Sequence, residues 1–501
     1  MSIEERTGTP VDRLGGRPVD RLVVAGLVAA AVVGALVALR QAPVAAALVA
    51  ALLLVVIHLR WARGLVVLGL VLPLLPVLRE VPVSVSVAGK GIYFSDVLLP
   101  VGLGLAAVGL PSAQLRRVGS EVLPYAVVLA LGTAIGLMHG SALSFILRDI
   151  RGPVYVLFAF AATVLLFRDG DRRVVLGVVT AVLWCAAVLV GVESFTGVHL
   201  LAGRVEAVNA VGTGLAGAGV DATRFLVAPK DLALLCCCAG LALLLRGGAE
   251  GLWILLGPAV LLPSTLLVFF SFSRRALLAL AFATVFVLLV TRLSRVVVRT
   301  LVMAPVVAGA IAVLALASVS SSSYVSRQAA AFSDRVLTGV SDEARAQDQG
   351  IAFRALEDEY AERSVRGSPL VGLGLGAAYR PDVAGQPFVG EDRDYGRTYV
   401  HNFYLWVAVK MGFLGLLTVA LFLLRPVVAV ARAAARSNRQ EDQVLVAVAA
   451  GVLGLCAVNW VSPIFNEPAT AIVLGCALGV LRRRTLAPEV PGHVTADGRA
   501  T

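Results

Sequence analysis

Long apolar stretches separated by short, arginine-bearing gaps run from residue 22 to residue 481. A bilayer-spanning helix needs about 20 apolar residues, with about 17 as the lower limit. Fourteen stretches reach or approach that length, near residues 22–39, 43–59, 64–78, 94–110, 122–138, 153–167, 174–192, 231–246, 251–271, 275–290, 300–319, 401–424, 443–460 and 466–481. The pattern predicts an all-α, polytopic integral membrane protein of about 14 transmembrane helices. The first stretch is too long and continuous for a cleaved signal sequence and reads as a retained helix.

Arginine placement sets the expected orientation. With the N-terminus (Arg6, Arg13, Arg17, Arg21) in the cytoplasm, alternation puts Arg60/Arg63, Arg116/Arg117, Arg168/Arg172/Arg173, Arg292/Arg295/Arg299, Arg425/Arg432/Arg436/Arg439 and Arg482/Arg483/Arg484 on the same inner side. Basic residues accumulate in cytoplasmic loops, so this arrangement places both termini inside and requires an even helix count. The organisation expected is a cytoplasmic tail over 1–21, one membrane domain over 22–481 and a cytoplasmic tail over 482–501. Two outer loops interrupt the domain, at 193–230 and, before the twelfth stretch, at 320–400. Within the larger loop, Ile351, Ala355, Leu356 and Tyr360 recur at helical spacing and predict an amphipathic helix on the outer face of the membrane. Glu357, Asp358, Glu359 and Glu362 would form its solvated face. The glycines of GSPLVGLGLGAAY (Gly372, Gly374, Gly376) follow no strand and make no nucleotide fingerprint.

Composition agrees with a membrane protein. The chain of 501 residues is 58% hydrophobic and 15% charged, with a mean hydropathy of +0.88, whereas soluble domains average about 45–50% apolar and about 25% charged. The net charge of +11 resides in the gaps between apolar runs, so it reports topology and not nucleic-acid binding. All six cysteines lie inside apolar segments, and no Cys/His spacing suggests a metal site.

Basic residues on the outer side run against the positive-inside bias. Arg224 and Lys230 precede the eighth stretch, Arg274 and Arg275 occupy a tight hairpin before the tenth, and His401 opens the twelfth. All three stretches present their N-termini to the outer face, where free N–H groups and the positive dipole end lie. Guanidinium groups beside helix N-termini suit a multivalent anion, most simply phosphate. Arg224 alone reads equally as a snorkelling anchor, and a lone His401 more readily as a structural interface residue; adjacent Arg274 and Arg275 repel each other and call for an anionic partner.

The same residues resemble the O-antigen ligase and O-antigen polymerase superfamily of bacterial envelope proteins. The resemblance spans roughly residues 200–480 and rests on HNFYLWVAVKMGFLGL (His401, Asn402, Tyr404, Leu405, Gly412, Gly415) and on GSPLVGLGLGAAY (Pro369, Gly372, Gly374, Gly376). FSRRALL resembles the family's Ser-Arg-Gly-Ala hairpin, with Arg275 in place of Gly. ATRFLVAPKDLALL resembles its Arg-x(n)-Pro-Asn stretch, with Lys230 in place of Asn.

The resemblance implies a metal-independent, cofactor-free glycosyltransferase of the bacterial cytoplasmic membrane. Its site would lie on the extracytoplasmic face, and its donor would be a glycan on a polyprenyl diphosphate carrier. The acceptor would be a lipid (ligase) or another carrier-linked glycan (polymerase). By that resemblance Arg224, Arg274 and His401 carry over as catalytic positions; beside them, Arg275, Lys230, Arg354, Arg397, Tyr399 and Asn402 are candidate substrate contacts. The leaving diphosphate needs fixed cations, and the acceptor hydroxyl needs a base, for which an imidazole titrates in a suitable range. Whether His401 is that base or a diphosphate ligand stays open at this level. The rival reading is a lipid-linked oligosaccharide flippase; the clustering of basic residues on one face favours the enzyme, because transporters place charge at mid-membrane. A membrane glycosyltransferase of peptidoglycan synthesis is a third reading, which the His-Asn loop disfavours.

Overall fold

The computed structural model describes residues 62–76, 84–87, 90–196, 198, 200–201, 204–206, 223–246, 257–291, 332, 349–381, 393–436 and 440–486. The expected helices at 22–39, 43–59 and 300–319, both tails apart from residues 482–486, and much of the two expected outer loops lie outside these residues. The described chain is built on helices: α1 (Ala62–Val71), α2 (Phe94–Val108), α3 (Ser112–Met138), α4 (Leu143–Leu166), α5 (Arg172–Thr196), α6 (Lys230–Arg246), α7 (Leu262–Phe270), α8 (Arg275–Val290), α9 (Gln349–Gly367), α10 (Arg393–Thr398), α11 (Phe403–Arg436), α12 (Gln440–Val458) and α13 (Pro468–Leu486). Two short antiparallel ribbons join them, β1 (Ser84–Val87) with β2 (Lys90–Tyr93) and β3 (Arg204–Glu206) with β4 (Thr223–Phe225).

Among the described residues four helices are long and apolar enough to cross a membrane: Ser112–Met138, Leu143–Leu166, Arg172–Ser194 and Phe403–Ala435. Their outward faces carry Leu123, Val127 and Leu131 on α3 and Leu414, Leu417, Leu421 and Leu424 on α11, all exposed. Spacings of three and four residues stack these side chains into stripes that lipid covers. α4 begins ten residues before the expected boundary, because its charged opening LRDIR is paired inside the protein. Arg148 donates to Thr398 Oγ1 at 2.6 Å, Asp149 meets Lys410 at 3.2 Å, and Arg151 meets Asp96 at 3.1 Å.

Small residues let the helices approach. Gly475 and Gly479 of α13 face Val156, Ala159 and Thr163 of α4 so closely that a Cβ at either position would press on them. Membrane helices gain no hydrophobic driving force against each other, so such close backbone packing is what joins them.

The hydrogen bonds and ion pairs between connections fall into two sets. One joins Arg63 to Asp171, Gln114 to the carbonyl of Leu165, and Arg482 to Glu121. The other joins His139 to the Leu373 carbonyl, Lys230 to Glu467 and Arg275 to Ser462. Each set contains only connections that the sequence alternation assigns to one side, the first to the inner face and the second to the outer.

The segment at 368–381, expected as part of an outer loop, enters the bundle between α3, α4 and α11. α11 is interrupted at Gly412, whose φ of 64° and ψ of −166° break the helical path. In an unbroken helix Phe413 and Leu414 would donate to the carbonyls of Val409 and Lys410. Instead Phe413 N donates to Pro369 O at 2.8 Å and Leu414 N to Leu370 O at 3.2 Å. The two freed carbonyls accept from Leu373 N at 2.8 Å and Gly374 N at 3.0 Å, and Leu375 N donates to Gly132 O at 2.8 Å. Non-helical backbone at this depth is tolerated only when protein satisfies its polar groups, and here two segments satisfy each other. Gly374, with φ of 89°, packs directly on the backbone of Gly136, where a Cβ would overlap it.

Replacing Gly374 by Ala therefore destabilises the folded protein by at least about 2 kcal/mol, through both the backbone overlap and the left-handed φ. Gly104, on the exposed side of α2 with open space around it, is the control. There Ala is neutral or stabilising by up to about 1 kcal/mol. Thermal unfolding of the two variants in detergent checks the difference; equal melting temperatures would contradict the docking of the 369–375 segment.

Candidate functional site

The ordered backbone of 368–381 carries its C-terminal end to the start of α11. Tyr379 N and Arg380 N both donate to the Arg397 carbonyl, at 3.0 and 3.4 Å, and the Tyr379 hydroxyl donates to the Tyr399 carbonyl at 2.9 Å. Arg397 Nε returns a bond to the Arg380 carbonyl at 3.1 Å. These contacts fix the strap 397–402 that delivers His401. Asn402 then caps α11, its Oδ1 accepting from Tyr404 N at 3.0 Å and Leu405 N at 3.2 Å.

His401 Nδ1 lies 2.5 Å from Glu357 Oε2. The imidazole is 17% exposed and the carboxylate 1%. Tyr399 and Phe353 stand edge-on to the imidazole, with ring centroids at 4.9 and 6.1 Å. The other carboxylate oxygen, Glu357 Oε1, is 3.8 Å from Arg380 Nη1. The Arg380 guanidinium is itself buried and lies over the rings of Phe353 and Tyr360, at 5.0 and 5.8 Å. Burial, reinforced by the Glu357 and Glu362 carboxylates, pushes the Asp358 carboxyl above its usual range, while His401 and Arg354 pull it back. Burial likewise pushes the Tyr379 phenol up.

Glu357 thus departs from the solvated acidic face expected of α9. Its neighbours Glu359 and Glu362 are exposed, as expected. Glu357 is buried because α9 turns residues 353, 357, 360 and 364 toward the strap, leaving Ala355, an expected apolar-face residue, exposed. Arg354 is exposed on the other side of α9.

Beside the strap lies a cleft of about 400 Å³, lined by His139, Ser141 and Phe145 from the α3–α4 turn, by the 373–378 backbone, and by Arg397 and Thr398. It is mixed in character, with two basic groups, two hydroxyls and one aromatic face.

The other basic positions meet at the connection between α12 and α13, residues 459–467. Arg275 donates from Nε to Ser273 Oγ and from Nη1 to Ser462 Oγ, both at 2.9 Å. Lys230 Nζ lies 2.5 Å from Glu467 Oε2 and 3.6 Å from Asp231 Oδ2. Asp231 in turn accepts from Thr470 Oγ1 at 2.7 Å. Phe403 N donates to the Asn459 carbonyl at 2.9 Å, so the start of α11 rests on the same connection. The N-terminal ends of α6, α8 and α11 therefore abut one nine-residue hub, which fits the gathering of helix ends expected from the sequence. Arg274 sits half-buried at the turn that opens α8. Arg224 lies in β4 opposite Val205, and its side chain lies outside the described structure.

Sequence reasoning missed Glu357, Arg380 and the buried pair of Asp149 and Lys410. Lys410 is fully buried and also donates to the Ala377 carbonyl at 2.6 Å, while Asp149 accepts from Gly376 N at 2.8 Å. The signal was a lysine inside an apolar run, which demands a buried partner. Among the described residues no group of three or more His, Cys, Asp or Glu side chains is placed to hold a metal ion.

Residues 259–420 match the family model described as O-antigen ligase. Over this span, about a third of its length, the chain is similar to the O-antigen ligase superfamily. The match takes in Arg274, Glu357, Arg380, His401, the GLGLG segment and Gly412, and stops short of Arg224 and Lys230. No curated protein sequence matches the chain. That similarity points to glycosyl transfer of O-antigen ligase or polymerase type in envelope polysaccharide synthesis.

Asn402, an expected substrate contact, uses its side-chain oxygen to cap α11. Asn402→Ala is expected to lower stability by about 1 kcal/mol, whereas Asn402→Asp keeps the capping oxygen and the melting temperature. Thermal unfolding of both variants checks this; an Ala variant as stable as the parent would remove the cap.

Proposed function

We propose that this enzyme transfers a glycan from a polyprenyl diphosphate carrier to an acceptor at the outer face of the bacterial cytoplasmic membrane, without a metal ion. The observation that carries the reading is the juxtaposition, on one face of the bundle, of a buried-carboxylate histidine at the head of α11 and the basic ends of α6 and α8.

In this reading the acceptor hydroxyl gives its proton to His401 as its oxygen attacks the anomeric carbon. The bond from that carbon to the diphosphate oxygen breaks, and the electron pair leaves with the diphosphate. The developing negative charge is met by Arg274 and Arg224 and by the positive ends of α6 and α8, fixed dipoles that need no reorganisation. Lys230 and Arg275 already face Asp231, Glu467 and Ser462. Their part is to hold the helix ends against the 459–467 hub and to add to the local positive potential. The cleft beside Arg397 and Thr398 offers room for a sugar residue near the base. Thr398 is three positions from His401, a span of at most about 10 Å along extended backbone. Tyr399 closes the imidazole on one side. Arg354, exposed on α9, is placed for an outlying contact with glycan.

The test is glycan transfer by purified protein in liposomes that carry lipid-linked donor and acceptor on the same face. The parent protein is expected to form the new glycosidic bond in the presence of EDTA. Arg274→Ala should abolish transfer while still inserting and melting normally, and Arg274→Lys should rescue poorly because a point charge replaces a planar fork. Movement of lipid-linked glycan across the bilayer with no new bond would establish a flippase and overturn the proposal. Dependence on added magnesium would overturn its metal-free chemistry.

A further inference from the structure

An imidazole can serve as a base through one nitrogen only while its proton sits on the other. In this protein a carboxylate stands at one of the two nitrogens. Glu357 Oε2 is 2.5 Å from His401 Nδ1, and among the described residues no hydrogen bond engages Nε2. We propose that Glu357 is the positioning residue of the His401 base: it holds the proton on Nδ1, turns Nε2 toward the acceptor hydroxyl, and stabilises the imidazolium that forms, with the Arg380 guanidinium 3.8 Å from its other oxygen as counter-charge. This rests on the reading of His401 as the base, and it adds two residues to the machinery.

Burial makes the arrangement informative. An ionised carboxylate removed from water is strongly disfavoured unless it is paired and hydrogen-bonded. Glu357 is almost completely covered, and the two charged groups placed on its oxygens are His401 and Arg380. Arg380 is buried as well, sandwiched on the Phe353 and Tyr360 rings of the same helix, so its position is set by packing and not by the charge alone. The surroundings are mixed in sign. Asp358 and Arg354 of α9 both lie within electrostatic reach, Asp358 acting on His401 and Arg354 on Asp358. Tyr379 gives its hydroxyl proton to the Tyr399 carbonyl and so does not compete for Nδ1. During transfer the proton goes from the acceptor oxygen to Nε2, and the Nδ1 proton stays on the ring.

A purely structural reading is that Glu357 only ties α9 to the strap 397–401. The two roles separate in Glu357→Gln. Arg380 Nη1 lies 3.8 Å from Oε1, beyond hydrogen-bond reach, but its positive charge favours the Gln carbonyl oxygen on that side and leaves the NH2 group pointing at Nδ1. Nδ1 must then accept, and the proton moves to Nε2, which disables the base without removing the tie. Glu357→Asp keeps the carboxylate and the tautomer at a longer reach.

The chain has five histidines, so nitrogen-15 NMR of the full-length, histidine-labelled protein in detergent, with His401→Ala to assign the signal, reads the tautomer directly. The parent is expected to show His401 protonated at Nδ1, and Glu357→Gln to show it protonated at Nε2. In the liposome assay Glu357→Gln should lower kcat by about 10²-fold with the donor KM within about twofold, and Glu357→Asp should recover part of the rate. An Nε2–H tautomer in the parent, or a Gln variant that leaves the tautomer unchanged, overturns the proposal. So does a loss of rate that only tracks the fraction of folded protein. If the tautomer switches as expected while His401→Ala still transfers glycan at the parental rate, the positioning geometry stands and the assignment of His401 as base falls.

Discussion

The structure depends on an exchange of backbone hydrogen bonds at one interrupted helix. α11 gives up two of its own bonds at Gly412, and the 369–374 segment supplies the missing acceptors and takes up the freed carbonyls. An unmatched backbone group at this depth has no water to turn to, so neither the break nor the inserted segment is stable without the other. The glycines follow from that. Gly372, Gly374 and Gly412 all have positive φ and all lie against backbone, not side chains, so the contact tolerates no Cβ.

From this junction the surface that carries His401 is assembled. The inserted segment leaves the bundle at Ala377 and Arg380, where Lys410 and Asp149 pin it from below and the Arg397 and Tyr399 carbonyls receive it from above. The buried ion pair is weak support for stability in itself, because desolvation offsets most of the attraction. Its value is specificity: Asp149 accepts Gly376 N, and Lys410 donates to Ala377 O, so the charges read the register of the segment. Register there sets the position of Arg380, hence Glu357, hence the imidazole. On the far side, Asn459 and Phe465 hold the same helix head against the hub that carries Arg275 and Lys230. A histidine, a buried acid and a group of cations are thereby held on one surface by backbone contacts.

Much of this was legible in the chain, for reasons that differ by feature. Lipid requires continuous apolar runs, so α3, α4, α5 and α11 announce themselves. The unusual outer cations at Lys230, Arg274, Arg275 and His401 were visible because each violates the same bias. What could not be read were relations between distant positions. Glu357 looks like any carboxylate on an exposed helix until residues 23 and 44 positions away, Arg380 and His401, are brought to it. The break at Gly412 is invisible in a run that stays apolar from 401 to 424, because a helix interruption that is repaired by another segment leaves no polar trace. Lys230, Arg275 and Asn402 stand out in the sequence as candidate ligand contacts; the pairing that engages the first two depends on residues the sequence does not bring together, and Asn402 caps its own helix.

The central claim is that the 369–375 segment and the break in α11 satisfy each other. Hydrogen exchange of the intact protein in lipid nanodiscs, followed by mass spectrometry at single-residue resolution, tests it most directly. The amides of Leu373, Gly374, Leu375, Phe413 and Leu414 are expected to be protected as strongly as those in the middle of α4, although the first three lie in no helix. Rapid exchange at Leu373 and Gly374, with Phe413 and Leu414 still protected by an unbroken α11, would contradict the account.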